Sequence, residues 1–388
     1  MSTSSAVKSA DFEFSFHLPT LIEFGFGKAS SLGERLEQLG VKTVFLVSDK
    51  GVEAAGLLNR LTDSLRVSNI QSELYLDVEP DPSLETINRG SERFKALSYD
   101  CIVAVGGGSP MDTAKGIRVI ASNGGSIGDY AGVNKITQAP EIPLITIPTT
   151  SGTGSEVTIF GVYSDWTNNV KVTVTSPYMA PTIALVDPEL TMKLPEKLTA
   201  ATGIDALAHG IEAYFSLKSR PASDALALEA MAAVSYHLQR AVQNGQDKEA
   251  RIGMSHGSLL AGMAFNNSFL GLTHAIGSAL SGHCHVPHGI AIGLLLPHVV
   301  EFNAKVLPDK AAKIAELLDA ELPIAEKAAS AVAAMVKNIG LPTRLRDVNV
   351  PESKLPEIAN DSFKSGMMKF NPRLPSEEEV LNLLKRLY

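Results

Sequence analysis

Residues 100–121 read DCIVAVGGGSPMDTAKGIRVIA. The apolar run Cys101–Val105 has the length and composition of a buried strand. It leads straight into Gly106, Gly107, Gly108 and Ser109, and Pro110 follows, a residue suited to the first turn of a helix. Glycines let a backbone come close to an anion, and a new helix offers free N–H groups and the positive end of its dipole. The stretch therefore reads as a strand–loop–helix unit that cradles a pyrophosphate. It lacks the usual Gly-x-Gly-x-x-Gly spacing, and no acidic residue ends a strand about 20 positions later. The candidate acid comes earlier, at Asp49, just after the run Val44–Val47. There it is placed either to bond an adenosine ribose and repel a 2′-phosphate, or to cap a helix starting near Gly51.

Similar apolar runs occur at Glu73–Leu76 and Leu144–Ile147, with helical segments at Ser31–Leu39, Gly51–Leu65 and Leu84–Leu97. Strand and helix in alternation predict a parallel sheet covered on both faces. Phe12, Phe14 and Phe16 alternate with polar residues and predict a further strand. Val157–Tyr163 and Val170–Val174 flank a polar turn at Ser164–Asn169 and predict a hairpin. The loop PTTSGTGSEVT (Pro148–Thr158) has hydroxyls and glycines suited to wrapping a cofactor, although such a string in isolation is usually an ordinary turn. From Pro195 onward the pattern is helical. Ala225–Ala241 has Ser223 or Asp224 placed to cap it, and Pro308–Leu318 follows. Ile324–Ile339 is closed by Gly340 and Pro342, and Ser376 with Glu379 forms a capping box before Val380, Leu383, Leu384 and Leu387. This division predicts an α/β half over residues 1–190 and an all-helical half over 191–388, packed closely with a cleft between them.

The 388 residues are 45% hydrophobic and 20% charged, which is a globular rather than a disordered balance. Apolar runs such as Gly289–Pro297 are too short for the ~20 residues of a membrane helix. The N-terminus shows no signal pattern, and the two cysteines, Cys101 and Cys284, make no disulfide framework, so a cytoplasmic location is expected. Net charge is −8 with no Lys/Arg cluster, which argues against a nucleic-acid partner. Of nine histidines, six lie between His256 and His298. Asp205 and His209 stand four apart in a helical stretch and so share one face. His274, His283, His285, His288 and His298 follow. One carboxylate with several imidazoles suits Zn(II) or Fe(II). Spacing alone does not select the ligands, since single histidines are more often ordinary core or surface groups.

Taken together, GGGSPMDTAK, PTTSGTGSEVT, DALAHGIEAY and GLTHAIGS with VPHG resemble the iron-containing (group III) alcohol dehydrogenases. The resemblance is collinear from Phe24-Gly25-Phe26-Gly27 to Asn371-Pro372-Arg373. It implies the dehydroquinate synthase-like fold, an α/β N-terminal dinucleotide-binding domain plus an all-α C-terminal domain. It implies metal ligands at Asp205, His209, His274 and His288, holding Fe(II) with Zn(II) as the alternative. NAD contacts are implied at Asp49, Gly106, Gly107, Gly108, Ser109, Asp112, Thr149, Thr150, Thr153, Thr158 and Lys171, with Asp49 at the position associated with NAD over NADP.

The implied reaction interconverts a small primary alcohol and its aldehyde by hydride transfer, in a cytoplasmic homodimer or higher oligomer without membrane or nucleic-acid partners. A polyol dehydrogenase, a related lyase and a filament-forming structural member are the alternatives; the intact ligand set counts against the last. One departure stands out. Many family members carry a histidine four residues after the third ligand, where this chain has Ser278. The expected catalytic set is therefore His274, Ser278 and His285, with His283 also near in sequence. Phe265, Asn267 and Phe269 are expected to line a small substrate cavity.

Overall fold

Why the apolar runs are unbroken is clear from the sheet they build. The computed structural model describes residues 13–168 and 170–388. Its strands are β1 (Leu21–Phe24), β2 (Thr43–Val47), β3 (Gln71–Tyr75), β4 (Cys101–Gly106), β5 (Gly132–Val133), β6 (Leu144–Pro148), β7 (Phe160–Asp165), β8 (Val170–Thr175) and β9 (Ile183–Val186). Six of them form one parallel sheet in the order β1-β9-β6-β4-β2-β3. The rest form a small sheet in the order β5-β8-β7, in which β7 and β8 are the antiparallel hairpin expected.

The helices of this half are α1 (Leu32–Gln38), α2 (Lys50–Ala54), α3 (Leu58–Val67), α4 (Leu84–Ala96) and α5 (Gly108–Asn123). Val44 and Leu46 pack with Leu32, Leu61 and Leu65 on one face of the sheet. Phe45 and Val47 pack with Ile87, Phe94 and Met111 on the other. Alternate side chains of a strand point to opposite faces, so a sheet covered on both sides needs apolar residues at every position.

Three local expectations are corrected. Phe14 and Phe16 lie in no strand; the chain enters the sheet only at Leu21, and Phe12 lies outside the described residues. The helix expected over Gly51–Leu65 is two helices, broken at Gly56, whose φ of 71° ends α2. Val157 belongs to a 3-10 turn, Ser155–Val157, and the hairpin strand begins at Phe160.

Beyond β9 the chain is helical: α6 (Glu196–Phe215), α7 (Pro221–Gln243), α8 (Lys248–Ser268), α9 (Leu272–Cys284), α10 (His288–Ala304), α11 (Pro308–Leu317), α12 (Ala325–Asn338), α13 (Leu355–Ser362) and α14 (Glu377–Leu387). Nearly every residue of α6 from Gly203 onward is buried, because α7, α8 and α10 surround it. Pro221 starts α7 one turn earlier than expected, so its cap is Arg220; Ser223 serves instead as the third-position partner of that capping box. The Ser376/Glu379 box forms as read from the sequence, with reciprocal bonds of 2.9 and 3.1 Å.

The two halves meet closely at Gly154 of the loop after β6. Its φ is 64°, and a Cβ there would lie 2.6 Å from the Cα of Gly262 on α8. Only glycine at both positions lets this loop lie directly on the helical half.

Candidate metal and cofactor site

In the main sheet β3 and β4 lie on opposite sides of β2, so the winding direction reverses between β2 and β4. Ligands of open parallel sheets bind outside the carboxyl ends of the strands at such a point. The loops that meet there are Ser48–Asp49 after β2, Gly107–Ser109 after β4 and Thr149–Thr158 after β6. Ser48 Oγ donates to the Val105 carbonyl at 2.8 Å, and the Thr149 N–H donates to the Gly106 carbonyl at 2.9 Å. Gly106 has φ 150°, and a Cβ on it would run into the Pro110 ring at 2.5 Å. Gly107 faces Thr150, and Gly108 faces Thr153, both across gaps of 3.2–3.4 Å to a hypothetical Cβ. The N-terminus of α5 is thus bare backbone facing a loop of hydroxyls, as a pyrophosphate site requires.

Several side chains expected at the cofactor are already engaged. Asp49 caps α2, accepting from the Val52 N–H at 2.9 Å. Asp112 accepts from Ser155 Oγ at 2.7 Å and the Val162 N–H at 2.9 Å. Thr158 accepts from Lys115 Nζ at 3.3 Å. Lys115 is fully buried on α5 and also donates to Ser155 Oγ and the Phe160 carbonyl, each at 2.8 Å. Burial pushes its ammonium down to about 8, while Asp112 and Glu156 oppose that fall. Lys171, on β8, is bonded to Asp81 at 2.7 Å and to Ser164 at 3.0 Å.

The metal-type cluster lies on the helical side of the cleft. Asp205 and His209 come from adjacent turns of α6, His274 from the first turn of α9 and His288 from the start of α10. All three imidazole Nε2 atoms point at one oxygen. Asp205 Oδ1 lies 3.8 Å from His209, 3.4 Å from His274 and 3.5 Å from His288. The His209 and His274 rings stack at 4.7 Å. Asp205 Oδ1 and His274 Nε2 are buried with no hydrogen-bond partner among the described residues. Leaving such atoms unpaired is costly unless something binds them, and a cation satisfies both at once.

The other nitrogens of two rings are held from behind. His209 Nδ1 lies 3.1 Å from the Gly152 carbonyl, and His274 Nδ1 lies 2.6 Å from Glu212 Oε2. Since a carbonyl or carboxylate only accepts, each Nδ1 donates, and in the neutral form of each ring Nε2 is the nitrogen with the free lone pair. Burial pushes His209 down to about 4. Burial works against charge on His274 too, but the Asp205 and Glu212 carboxylates pull it up to about 9. Burial opposes ionisation of Asp205 and Glu212, yet their imidazole neighbours hold both below the usual carboxylate range. Asp, three imidazoles and a backing carboxylate make a donor set fit for Fe(II) or Zn(II).

The remaining expectations divide. Phe265 stacks on His209 with 4.4 Å between ring centroids, so it walls the cluster, and Phe269 packs on Phe160 and Phe370. Asn267 bonds the backbone of His17 and lines a separate surface cavity of about 270 Å³ with Phe14, Phe16 and Arg220. Ser278 lies one turn beyond His274 on α9, half-buried. His285 is exposed at the left-handed end of α9, its ring 6.1 Å from Trp166 of the hairpin turn. His283 is engaged with Asp361 at 3.0 Å. Glu212, Lys115 and the Gly152 carbonyl went unread in the sequence. Glu212 had a signal, because it continues the helical stripe of Asp205 and His209.

Residues 19–188 match the sequence profile of the iron-containing alcohol dehydrogenases, and residues 199–388 match that of the C-terminal part of the same family. An NAD-dependent methanol dehydrogenase of Bacillus methanolicus is 37% identical over 95% of this chain and 98% of its own. The crystal structure of a 1,3-propanediol oxidoreductase superposes with a TM-score of 0.93 at 38% identity, over 97% of this chain and 100% of its own. A sulfoacetaldehyde reductase from Bifidobacterium kashiwanohense, solved with NAD+, superposes with a TM-score of 0.87 at 30% identity, over 97% and 99%.

Proposed function

The chain belongs to the iron-containing alcohol dehydrogenase family, and from that premise we propose how its cleft works. It is an NAD-dependent oxidoreductase that interconverts a small primary alcohol and its aldehyde. A divalent metal is assigned to Asp205, His209, His274 and His288, with Fe(II) as the family metal and Zn(II) compatible with the same donors. The observation that carries this assignment is the convergence of three Nε2 atoms on the otherwise unpaired Asp205 Oδ1. When bound, the ion supplies a Lewis acid and the nicotinamide supplies the hydride acceptor or donor.

The chain's own residues do the rest. The backbone of Gly107–Ser109 and the Thr149, Thr150 and Thr153 loop hold the cofactor phosphates. Asp49, at the adjoining strand end, disfavours a 2′-phosphate. Phe265 keeps water from the His209 side. His285 and Lys171, both beside Trp166, form the rim through which substrate enters. Ser278 leaves more room beside His274 than a histidine would. The same reading takes residues 1–190 as the cofactor domain and 191–388 as the metal and substrate domain. It also takes a homo-oligomer, supported by the edge strand β1 with Leu21 and Phe24 exposed, and a cytoplasmic setting, supported by two free cysteines. No helix among the described residues is long and apolar enough to cross a membrane.

The test is NADH absorbance with metal-stripped protein reloaded with Fe(II) or Zn(II), across a panel of short alcohols, diols and charged alcohols. Turnover that does not depend on added metal would refute the ligand assignment.

A further inference from the structure

Glu212 is 2% exposed and is separated by 62 residues from the imidazole it holds. On α6 it lies on the face of Asp205 and His209. Both of its oxygens are in use. Oε2 accepts from His274 Nδ1 at 2.6 Å and from the Gly271 N–H at 3.1 Å, and Oε1 accepts from the Thr273 N–H at 2.5 Å. Asn371 Oδ1 takes the next free donor, the Leu272 N–H, at 3.2 Å. One carboxylate from α6 therefore plugs the N-terminus of α9 and, with the same atoms, grips the imidazole in its first turn. The helix cannot rotate or slide without carrying Nε2 away from Asp205.

We propose that Glu212 is the positioning residue of the metal centre, bonding His274 Nδ1 so that Nε2 is the nitrogen aimed at the ion. With Asp205 it also gives the buried cluster two negative charges, which a divalent ion balances. Carboxylates behind metal-ligating imidazoles raise ligand basicity and fix orientation. The proposal rests on the ligand assignment above, and the controls separate the two.

Metal-stripped protein is titrated with Zn(II) against a chromophoric chelator, then loaded with Co(II) for its visible spectrum. Glu212→Gln keeps the shape but has one acceptor oxygen where two are needed. It should weaken Zn(II) binding about ten- to hundredfold, move the Co(II) bands and leave NADH binding within about twofold. If Glu212 merely caps α9, the variant melts at a lower temperature but keeps wild-type Zn(II) affinity and the wild-type Co(II) spectrum, and the proposal is overturned. Should the variant fail to fold, the wild type decides. Loaded with Zn(II) and labelled at histidine nitrogen, it should show His274 protonated at Nδ1 and ligated through Nε2; the opposite tautomer overturns the proposal. His274→Ala is the control. If it keeps stoichiometric metal, the ligand assignment itself fails; if it loses metal while Glu212→Gln binds normally, only the role of Glu212 fails.

Discussion

At the carboxyl edge of the sheet the cleft is lined by backbone, whereas on the helical side it is lined by side chains. Gly106, Gly107 and Gly108 offer amides and no side chain, and Asp112 and Thr158 beside them are tied to Lys115 and Ser155. Across the cleft, Asp205, His209, His274 and His288 come from three helices and converge within 3.4–3.8 Å of one oxygen. A backbone wall recognises a generic group such as a phosphate and tolerates changes in its side chains. A side-chain wall has no such tolerance, because in the proposed centre every donor is a side chain and Asp205 also brings the negative charge. The two walls should therefore answer mutation differently.

The largest effect is expected at the side-chain wall. His274→Ala removes a ligand and strands Glu212, so bound metal should be lost. A Lewis acid is worth several kcal/mol, which is roughly a thousandfold in rate. Elemental analysis beside kcat/KM checks both. His288, whose side chain is 41% exposed against 7% for His274, should when changed to Ala lose less metal affinity than His274→Ala. Equal losses would erase the distinction between buried and rim ligands.

Behind the backbone wall, Lys115→Met deletes the cation beside Asp112 and the donor to three oxygens. Breaking a buried pair from one side costs about 3–5 kcal/mol, read as a fall in the denaturant midpoint. The pH dependence has a definite sign. Burial lowers Lys115 from 10.5 to about 8, so between those values the unfolded chain keeps a proton that the folded chain has released. Wild-type stability should therefore rise with pH across that window relative to Lys115→Met, by roughly 3 kcal/mol in all. A parallel pH response in the two proteins would mean that Lys115 does not titrate there.

Asp49→Gly tests whether one side chain matters at the backbone wall. Removing its charge should improve kcat/KM with NADP about ten- to hundredfold, or about 1.4–2.8 kcal/mol. The lost helix cap should cost only a few tenths of a kcal/mol, since glycine is itself a fair cap. Unchanged NADP kinetics would leave Asp49 with capping alone.

The smallest effect is expected at Ser278, which shares the face of His274 one turn on. Ser278→His should shift preference toward shorter alcohols and add a pH dependence between about 6 and 7, where an unperturbed imidazole titrates. Profiles of kcat/KM against pH for a short and a longer alcohol read both. If neither moves, Ser278 does not border the substrate.

What could be read in the sequence follows the range of each signal. The parallel sheet, the glycine loop and the Asp205/His209 pair were legible because strand runs, strand–helix turns and helical spacing are local patterns. The same locality identifies the capping box at Ser376 and Glu379. The break at Gly56 and the start of α7 at Pro221 were missed, although glycine and proline marked both places, because apolar periodicity ran across them. By spacing alone His283 and His288 looked alike, and the family resemblance was what singled out His288. Packing sent one toward Asp361 and the other toward Asp205. Asp112 and Thr158 looked free for a cofactor until folding brought Lys115 between them. The sequence by itself determined the fold and the kinds of donor available, since periodicity and residue chemistry are properties of short segments. Only the tertiary structure showed the three imidazoles meeting at Asp205 and Glu212 backing His274, because those contacts join residues whose separation along the chain carries no local signal.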